Sequence, residues 1–120
     1  MEKRPTVIIT GTGFRSINNI NKVESIFTDE KVKINIGTAT AKKIAESNKY
    51  DLILLSKSHD KLLKIKSDLN ALFPSVNITV FACNIIDSDS IKNFAGSLET
   101  NTQYFFVHCA GLNTGAYAIK

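Results

Sequence analysis

A glycine turn near the start of the sequence is the first feature that could do chemistry. The residues Thr10-Gly11-Thr12-Gly13 directly follow a short apolar run. Such a turn lets the backbone approach an anion closely, and a helix that begins after it points its free N–H groups at a phosphate. The same residues are also typical of a plain tight turn. The turn is therefore a candidate phosphate site that the remaining sequence must support.

The other reactive side chains lack partners at the spacing that metal binding or nucleophilic catalysis needs. Cys83 and Cys109 lie in apolar stretches without paired cysteines, which predicts buried free thiols. His108 and Cys109 are adjacent on a predicted strand, so they point to opposite faces and cannot act as base and nucleophile. His59 has no neighbouring ligand and is predicted at the surface. We expect no metal site and no Ser-His-Asp arrangement.

The elements that position these residues form an alternating pattern. Helical patterns cover 62–73, where Ser58 can cap the start, and 91–98, which follows Asp87. Strands that are apolar on both faces and joined by helices favour parallel pairing. We predict an α/β fold: a three-layer, doubly wound, Rossmann-like parallel sheet, truncated after the fourth strand. The predicted buried strands are 6–10, 51–56, 76–82 and 104–108.

The segment between Gly11 and Gly37 is too long for a single crossover helix. It contains, in order, a helical pattern over 17–27, a charged turn at 29–31, an alternating segment at 32–36 that can form a strand, and a helical pattern over 39–45. We predict one domain over 1–120 with an insertion at about 13–34.

Composition and charge limit the class of protein and its partners. The chain has 120 residues, of which 43% are hydrophobic, and a net charge of +4. The lysines are dispersed along solvated faces, so we expect no nucleic-acid partner. No apolar run is long enough to span a bilayer, and no leader pattern is present, so we expect no membrane partner. These features predict a soluble cytoplasmic protein.

Together, the motifs resemble the cofactor-binding half of the short-chain dehydrogenase/reductase family. Three departures stand out: Asn35 replaces a glycine, Asn84 replaces an aspartate, and His108-Cys109 replaces two asparagines. The matching segments are Ile8-Ile9-Thr10-Gly11, Asn35-Ile36-Gly37-Thr38-Ala39-Thr40-Ala41, Leu52-Ile53-Leu54-Leu55-Ser56-Lys57-Ser58, Phe81-Ala82-Cys83-Asn84-Ile85-Ile86-Asp87 and His108-Cys109-Ala110-Gly111.

The resemblance implies a phosphate site and a cofactor preference. Gly11, Gly37 and the N–H of Ile36 would line the pyrophosphate site. Lys57, with Ser58, lies where the family reads the 2′-phosphate of the cofactor. A carboxylate there would repel that phosphate, so the resemblance implies NADP(H) rather than NAD(H).

The resemblance also implies contacts to the two ends of the cofactor. The carbonyl oxygen of the Asn84 side chain would accept a hydrogen bond from the adenine edge, and Ile85 would add a backbone contact. Ala110 and Gly111 would let the backbone close on the nicotinamide ribose.

The insertion leaves alternatives open. Either it bulges outward and leaves a usable pyrophosphate site, or that site is rebuilt or lost. Gly11-x-Gly13-x-x-Ser16 also approximates the shorter dinucleotide fingerprint. Arg15 and Ser16, together with Val107-His108, resemble the enoyl reductase branch of the family, whose glycine loop is longer.

The catalytic segment of the family is not matched. Its general acid/base is a tyrosine with a lysine four residues later, downstream of the Ala-Gly segment. Tyr117 and Lys120 are three apart and follow the fourth predicted strand too soon, so we expect no catalytic residue here. We predict an NADP(H)-binding half-domain that is an oxidoreductase only with a catalytic half supplied elsewhere. The alternative is a non-catalytic assembly or regulatory protein whose cofactor site is degraded.

A strand order of 3-2-1-4 predicts one poorly covered sheet face. The first two crossovers would lie on one face, and the other would receive only the helix that starts near Ser88. Three remedies exist: the 17–27 helix folds over the bare face, a second copy covers it, or the remaining half is elsewhere. We expect a homo-oligomer, with contacts from 105–118 and the 17–27 helix. The bare face is predicted to carry Val7, Ile9, Leu52, Leu54 and Phe105.

Overall fold

A computed structural model describes residues 4–17 and 19–109 as an α/β fold. Its strands are β1 (Thr6–Thr10), β2 (Phe14–Ser16), β3 (Val32–Ile34), β4 (Asp51–Ser56), β5 (Ile78–Ala82) and β6 (Tyr104–His108). Its helices are α1 (Ile36–Ser47), α2 (His59–Leu72) and α3 (Ser88–Gly96), with a short 3₁₀ turn at Ile20–Lys22.

The main sheet has four parallel strands in the order β5-β4-β1-β6. This confirms the predicted α/β, Rossmann-like class and the predicted strand order. Ile9 at the centre of the sheet pairs with Leu54 on one side and Val107 on the other. The third predicted strand begins two residues late. The Val76 N–H donates to the Phe73 carbonyl at 3.1 Å in a turn, and the Asn77 N–H donates to the Asp51 carboxylate at 3.1 Å instead of to a main-chain carbonyl of β4.

The sheet face covered by α1 and α2 carries the larger core. Leu62, Ile65 and Leu69 of α2 are fully buried there against the sheet. The prediction of a bare face made of Val7, Ile9, Leu52, Leu54 and Phe105 was wrong. The first four are buried under α1 and α2, and Phe105 lies at the edge of the same face with its ring against Tyr50. Strands that are apolar on both faces do not reveal which alternate set meets the helices.

The opposite face carries the other alternate set of side chains and is packed by α3. Its buried cluster contains Ile8, Leu55, Cys83 and Phe94. Phe106, which pairs with Ile8 across β1 and β6, is 60% exposed. Within the described residues, this face is the less covered of the two.

Of the described residues in 17–27, only Ile20–Lys22 are helical, as a 3₁₀ turn, so the prediction of a helix over this range was wrong. β2 and β3 pair antiparallel, which confirms a strand within 32–36; we call this pair the ribbon. In the segment that connects β2 to β3, Val23 and Ile26 are buried against the core that contains α2, at 3% and 2% exposure. The insertion therefore does not cover the α3 face of the sheet.

Hydrogen bonds to α2 explain why the insertion is irregular. The Ile26 N–H donates to Asp68 Oδ2 at 2.9 Å, and Lys64 Nζ donates to the Val23 carbonyl at 2.6 Å. Lys64 also pairs with Asp68 at 3.2 Å. These side chains satisfy backbone groups that a helix would have paired internally, and so hold the irregular path of bends and turns over residues 24–31.

No helix within residues 4–17 and 19–109 combines the length and the apolar character needed to cross a bilayer.

Candidate functional site

A cavity of about 760 Å³ opens at the carboxyl ends of β1 and β4. Ligands of doubly wound sheets bind at this edge, because the loops that follow the parallel strands meet there. The cavity is bounded by the glycine turn, the ribbon and the start of α2. Its lining residues are Gly11, Thr12, Gly13, Phe14, Arg15, Lys33, Ile34, Asn35, Leu55, Ser56, Lys57, Ser58, Lys61, Cys83 and Ile85.

The glycine turn and the start of α1 pack directly on each other. Gly11 has a φ of 75°, a backbone conformation that favours glycine. A Cβ added at Gly37 would lie 2.6 Å from the Gly11 carbonyl oxygen and 2.9 Å from its carbon. Gly11 is therefore required by its positive φ and Gly37 by the close approach of the Gly11 backbone, whether or not a ligand binds.

Asn35 and Thr38 clamp the two ends of the insertion together. Asn35 caps α1 by accepting the Thr38 N–H at 3.0 Å, and its Nδ2 donates to the Gly11 carbonyl at 2.7 Å. The Asn35 N–H donates to the Gly13 carbonyl at 3.1 Å. The Thr38 hydroxyl donates to that same carbonyl and accepts the Gly13 N–H, both at 2.8 Å. Asn35, where the family has glycine, thus caps α1 and also holds the glycine turn by a hydrogen bond.

Four of the site residues predicted from the sequence line the cavity: Gly11, Lys57, Ser58 and Ile85. Lys57 follows β4 directly, at the carboxyl edge of the sheet. The Ser58 hydroxyl caps α2 by accepting the Lys61 N–H at 3.4 Å, as its position predicted.

Three other predicted residues lie outside the lining. Gly37 is buried behind the glycine turn, and the Ile36 side chain is more than half exposed. The Asn84 side chain accepts the Ile86 N–H at 3.2 Å, in the turn that leads to α3. Its carbonyl oxygen is therefore already engaged.

Ala110 and Gly111, which were predicted to meet the nicotinamide ribose, lie outside the described residues. Tyr117 and Lys120 lie outside them as well.

The structure brings together cations that the sequence analysis did not connect. Arg15, Lys33 and Lys61 line the cavity with Lys57, and no aspartate or glutamate of residues 4–17 and 19–109 lines it. Arg15 and Lys33 are direct cross-strand partners in the ribbon. The alternation of apolar and polar residues at 32–36 indicated a strand, but it did not indicate which segment pairs with that strand. The described lining of the cavity therefore carries net positive charge, which favours an anionic ligand.

Lys61 also ties α2 to the ribbon. Its ammonium lies 5.7 Å from the ring centroid of Phe14, the first residue of β2, in a cation–π contact. Because Phe14 is itself buried in the main core, this contact fixes the ribbon relative to the start of α2.

The two cysteines are buried thiols, as predicted. Burial raises the pKa of Cys83, which lines the cavity, and the Asp87 carboxylate raises it further. Burial also raises the pKa of Cys109, against a smaller lowering by a hydrogen bond with the Thr40 hydroxyl. His108 stacks on Phe106 while Cys109 is buried in the α1 and α2 core, so the two point to opposite faces. Among the described residues, no group of three or more His, Cys, Asp or Glu side chains could hold a metal ion.

Comparison of the sequence with protein-family profiles and with curated proteins finds no match. Among solved structures, the chain is similar to YwfH, described as an NADPH-dependent reductase involved in bacilysin biosynthesis. The two share 20% identity with a TM-score of 0.58, over 82% of this chain and 30% of that one. The chain thus spans about a third of the length of this neighbour. At this identity the likeness shows the fold alone: a Rossmann-like α/β fold.

Proposed function

We propose that this chain is the NADP(H)-binding unit of a reductase of the short-chain dehydrogenase/reductase type. The observation that carries the proposal is the charge of the cleft at the carboxyl edge of the sheet. Its cations surround a glycine turn, and no carboxylate of the described residues opposes them. The likeness in fold to an NADPH-dependent reductase supports the same cofactor. NADP(H) carries a pyrophosphate and a separate 2′-phosphate, which matches a cleft with cations on two walls.

Lys57 is the residue proposed to select the 2′-phosphate. It lines the cavity at the end of β4, beside the amino end of the 14-residue helix α2. A helix amino end favours negative charge, and an ammonium group adds a charge-assisted hydrogen bond. Both effects favour NADP(H) over NAD(H).

The test is a calorimetric titration of the chain with NADPH and with NADH. We expect NADPH to bind about tenfold more tightly or better, since each charge-assisted contact contributes roughly 1.5 to 3 kcal/mol. Lys57→Asp should abolish or reverse this preference. Lys43→Asp, which makes the same change at an exposed position of α1 away from the cavity, should leave it intact. Equal affinities of the wild-type chain for NADH and NADPH would contradict the proposal.

We propose that these 120 residues bind NADP(H). We expect carbonyl reduction only when a further segment supplies the catalytic residues. General acid/base transfer contributes about 10² to 10⁴ in rate, and the resemblance identifies no residue here that supplies it. We expect the purified chain with NADPH to reduce no carbonyl substrate. Turnover that is lost in Tyr117→Phe would show that this tyrosine is catalytic.

A non-catalytic assembly or regulatory role is the second candidate. The observation that favours it is the internal pairing of the Asn84 carbonyl oxygen, which was expected to meet the adenine edge, and of the Gly13 N–H in the glycine turn. Under this alternative, the melting temperature of the chain does not respond to millimolar NADPH. A rise in melting temperature that follows the calorimetric affinity supports the cofactor-binding role.

A further inference from the structure

Several main-chain N–H groups at the glycine turn and at the start of α1 already donate hydrogen bonds to acceptors within the protein. The Gly11 N–H donates to the Leu55 carbonyl at 3.1 Å, and the Gly13 N–H donates to the Thr38 hydroxyl at 2.8 Å. The Thr38 N–H is capped by Asn35 Oδ1 at 3.0 Å. Main-chain N–H groups are the usual donors to a phosphate at such a turn. A ligand phosphate therefore cannot take hydrogen bonds from these three N–H groups without breaking their pairing, and side chains can supply such bonds instead.

The ribbon supplies side chains that can do so. Arg15 and Lys33 lie directly opposite each other across β2 and β3, and both are exposed and line the cavity. Like charges directly opposite each other destabilise an antiparallel pair. No acidic side chain of the described residues lines the cavity to offset them. An anion between the two cations removes this repulsion and gains charge-assisted hydrogen bonds.

The second pair of cations lies on a different wall of the cleft. Lys57 follows β4, and Lys61 lies in the first turn of α2, held against the Phe14 ring. The cleft therefore offers one cation pair on the ribbon and one on the β4–α2 connection. A ligand with two separated phosphate groups can engage both pairs at once.

We propose that the ribbon is an anion-binding arm, in which Arg15 and Lys33 hold the pyrophosphate of the dinucleotide in place of a main-chain cradle. Lys57 and Lys61 then receive the 2′-phosphate. The inference rests on the proposed function for the identity of the dinucleotide, but the anion pair itself can be tested without it. The proposal gives the insertion a role in ligand binding. An insertion that bulged away from the site would have no such role.

The experiment compares three variants with wild type: the double variant Arg15→Ala/Lys33→Ala, Lys57→Ala, and the control Lys31→Ala. Lys31 lies in the same insertion, is exposed and does not line the cavity. The probes are NADPH, NADH, inorganic pyrophosphate and adenosine 2′-monophosphate, each titrated by calorimetry.

The double variant should lose about tenfold or more in affinity, per cation removed, for NADPH, NADH and pyrophosphate. Its affinity for adenosine 2′-monophosphate should be unchanged. Lys57→Ala should weaken the binding of NADPH and adenosine 2′-monophosphate and leave the affinities for NADH and pyrophosphate unchanged. Lys31→Ala should match wild type. Without ligand, the double variant should melt no lower than wild type, because the like-charge pair is gone. That readout separates a binding role from a structural one.

The outcomes distinguish the two proposals. Wild-type affinity of the double variant for NADPH and pyrophosphate would overturn the anion-binding arm and leave the proposed function standing. Equal loss of adenosine 2′-monophosphate and pyrophosphate would also overturn it. Wild-type binding of pyrophosphate through Arg15 and Lys33, without any binding of NADPH, would support the arm and refute the proposed cofactor. Absence of binding to all four probes would refute both.

Discussion

Gly37→Ala tests the close packing of α1 on the glycine turn. The added Cβ would lie 2.6 Å from the Gly11 carbonyl oxygen, 2.9 Å from its carbon and 3.1 Å from the Thr12 nitrogen. All three neighbours are backbone atoms, so no side chain can rotate away. The turn must move, although it is held by the Asn35 Nδ2 hydrogen bond to the Gly11 carbonyl and by the Gly11 N–H hydrogen bond to Leu55.

Two opposing effects set the size of the change. Alanine in a helix is favoured over glycine by about 1 kcal/mol, so the substitution would stabilise α1 if space were available. Overpacking in a tight site costs about 1 to 3 kcal/mol, and overlap with fixed backbone belongs in the upper half of that range. We therefore expect Gly37→Ala to lower the free energy of unfolding by about 1 to 2 kcal/mol. We also expect weaker NADPH binding, because the turn lines the cavity.

The matched control is Gly96→Ala at the end of α3, where an added Cβ has no neighbour within 4 Å. This variant should gain between a few tenths and about 1 kcal/mol from helix propensity. Urea unfolding followed by circular dichroism measures both variants against wild type. If Gly37→Ala proved as stable as Gly96→Ala, the turn would be free to yield, and the packing argument would be refuted.

Three further predictions follow from the packing and the charges. Asp68→Ala should cost about 2 kcal/mol of stability by urea unfolding, because it leaves the buried Ile26 N–H without its acceptor and removes the carboxylate that pairs with Lys64. Phe106→Glu should convert a self-associating chain into a monomer by light scattering, since it places charge on the exposed apolar part of the α3 face. Stability should decline as the pH rises above about 8.5, because burial raises the pKa of Cys83 and the folded state keeps a thiol proton that the unfolded state loses. Urea midpoints measured across this pH range should fall less steeply for Cys83→Ala than for wild type.

Each of these predictions has a control or an outcome that would contradict it. Glu46→Ala removes an exposed pair with Lys42 on α1 and should change stability by less than about 0.5 kcal/mol. A similarly small effect of Asp68→Ala would show that the insertion is not anchored through it. Leu63→Glu changes an exposed leucine of α2 and should leave the association state unaltered. A wild-type chain that is already monomeric would contradict the association. Equal alkaline slopes in wild type and Cys83→Ala would exclude that thiol as the cause.

The main sheet could be predicted because its signals are local. Each strand is a short apolar run bounded by polar turns, and the caps Ser58 and Asp87 mark the starts of α2 and α3. Helices between the strands indicate parallel pairing, and the strand order follows from the Rossmann-like fold that the family resemblance implies. The face that each side chain occupies could not be predicted. Strands buried on both sides carry no polar alternation, so Val7 and Ile8 are equally apolar although they face different helices.

The conformation of the insertion and the cations on the ribbon could not be predicted from the sequence, because both depend on contacts between distant segments. The spacing of Val23 and Ile26 suits a helix, but Asp68, 42 residues beyond Ile26, accepts the Ile26 N–H and holds an irregular path of turns. Likewise, Arg15 and Lys33 are far apart in sequence and become neighbours only through the pairing of β2 with β3. Lys57 could be identified by its place after a strand, whereas the ribbon cations have no such local marker.

The anchoring of the insertion to α2 also bears on how the chain folds as it is synthesised. Ile26 leaves the ribosome 42 residues before Asp68, the acceptor of its N–H. At about 5 to 20 residues per second, that interval lasts roughly 2 to 8 seconds. During this time Val23 and Ile26 have no α2 surface to cover them. The insertion therefore cannot bury these side chains until α2 has been synthesised. Chaperones that bind short apolar segments can bind it during this interval.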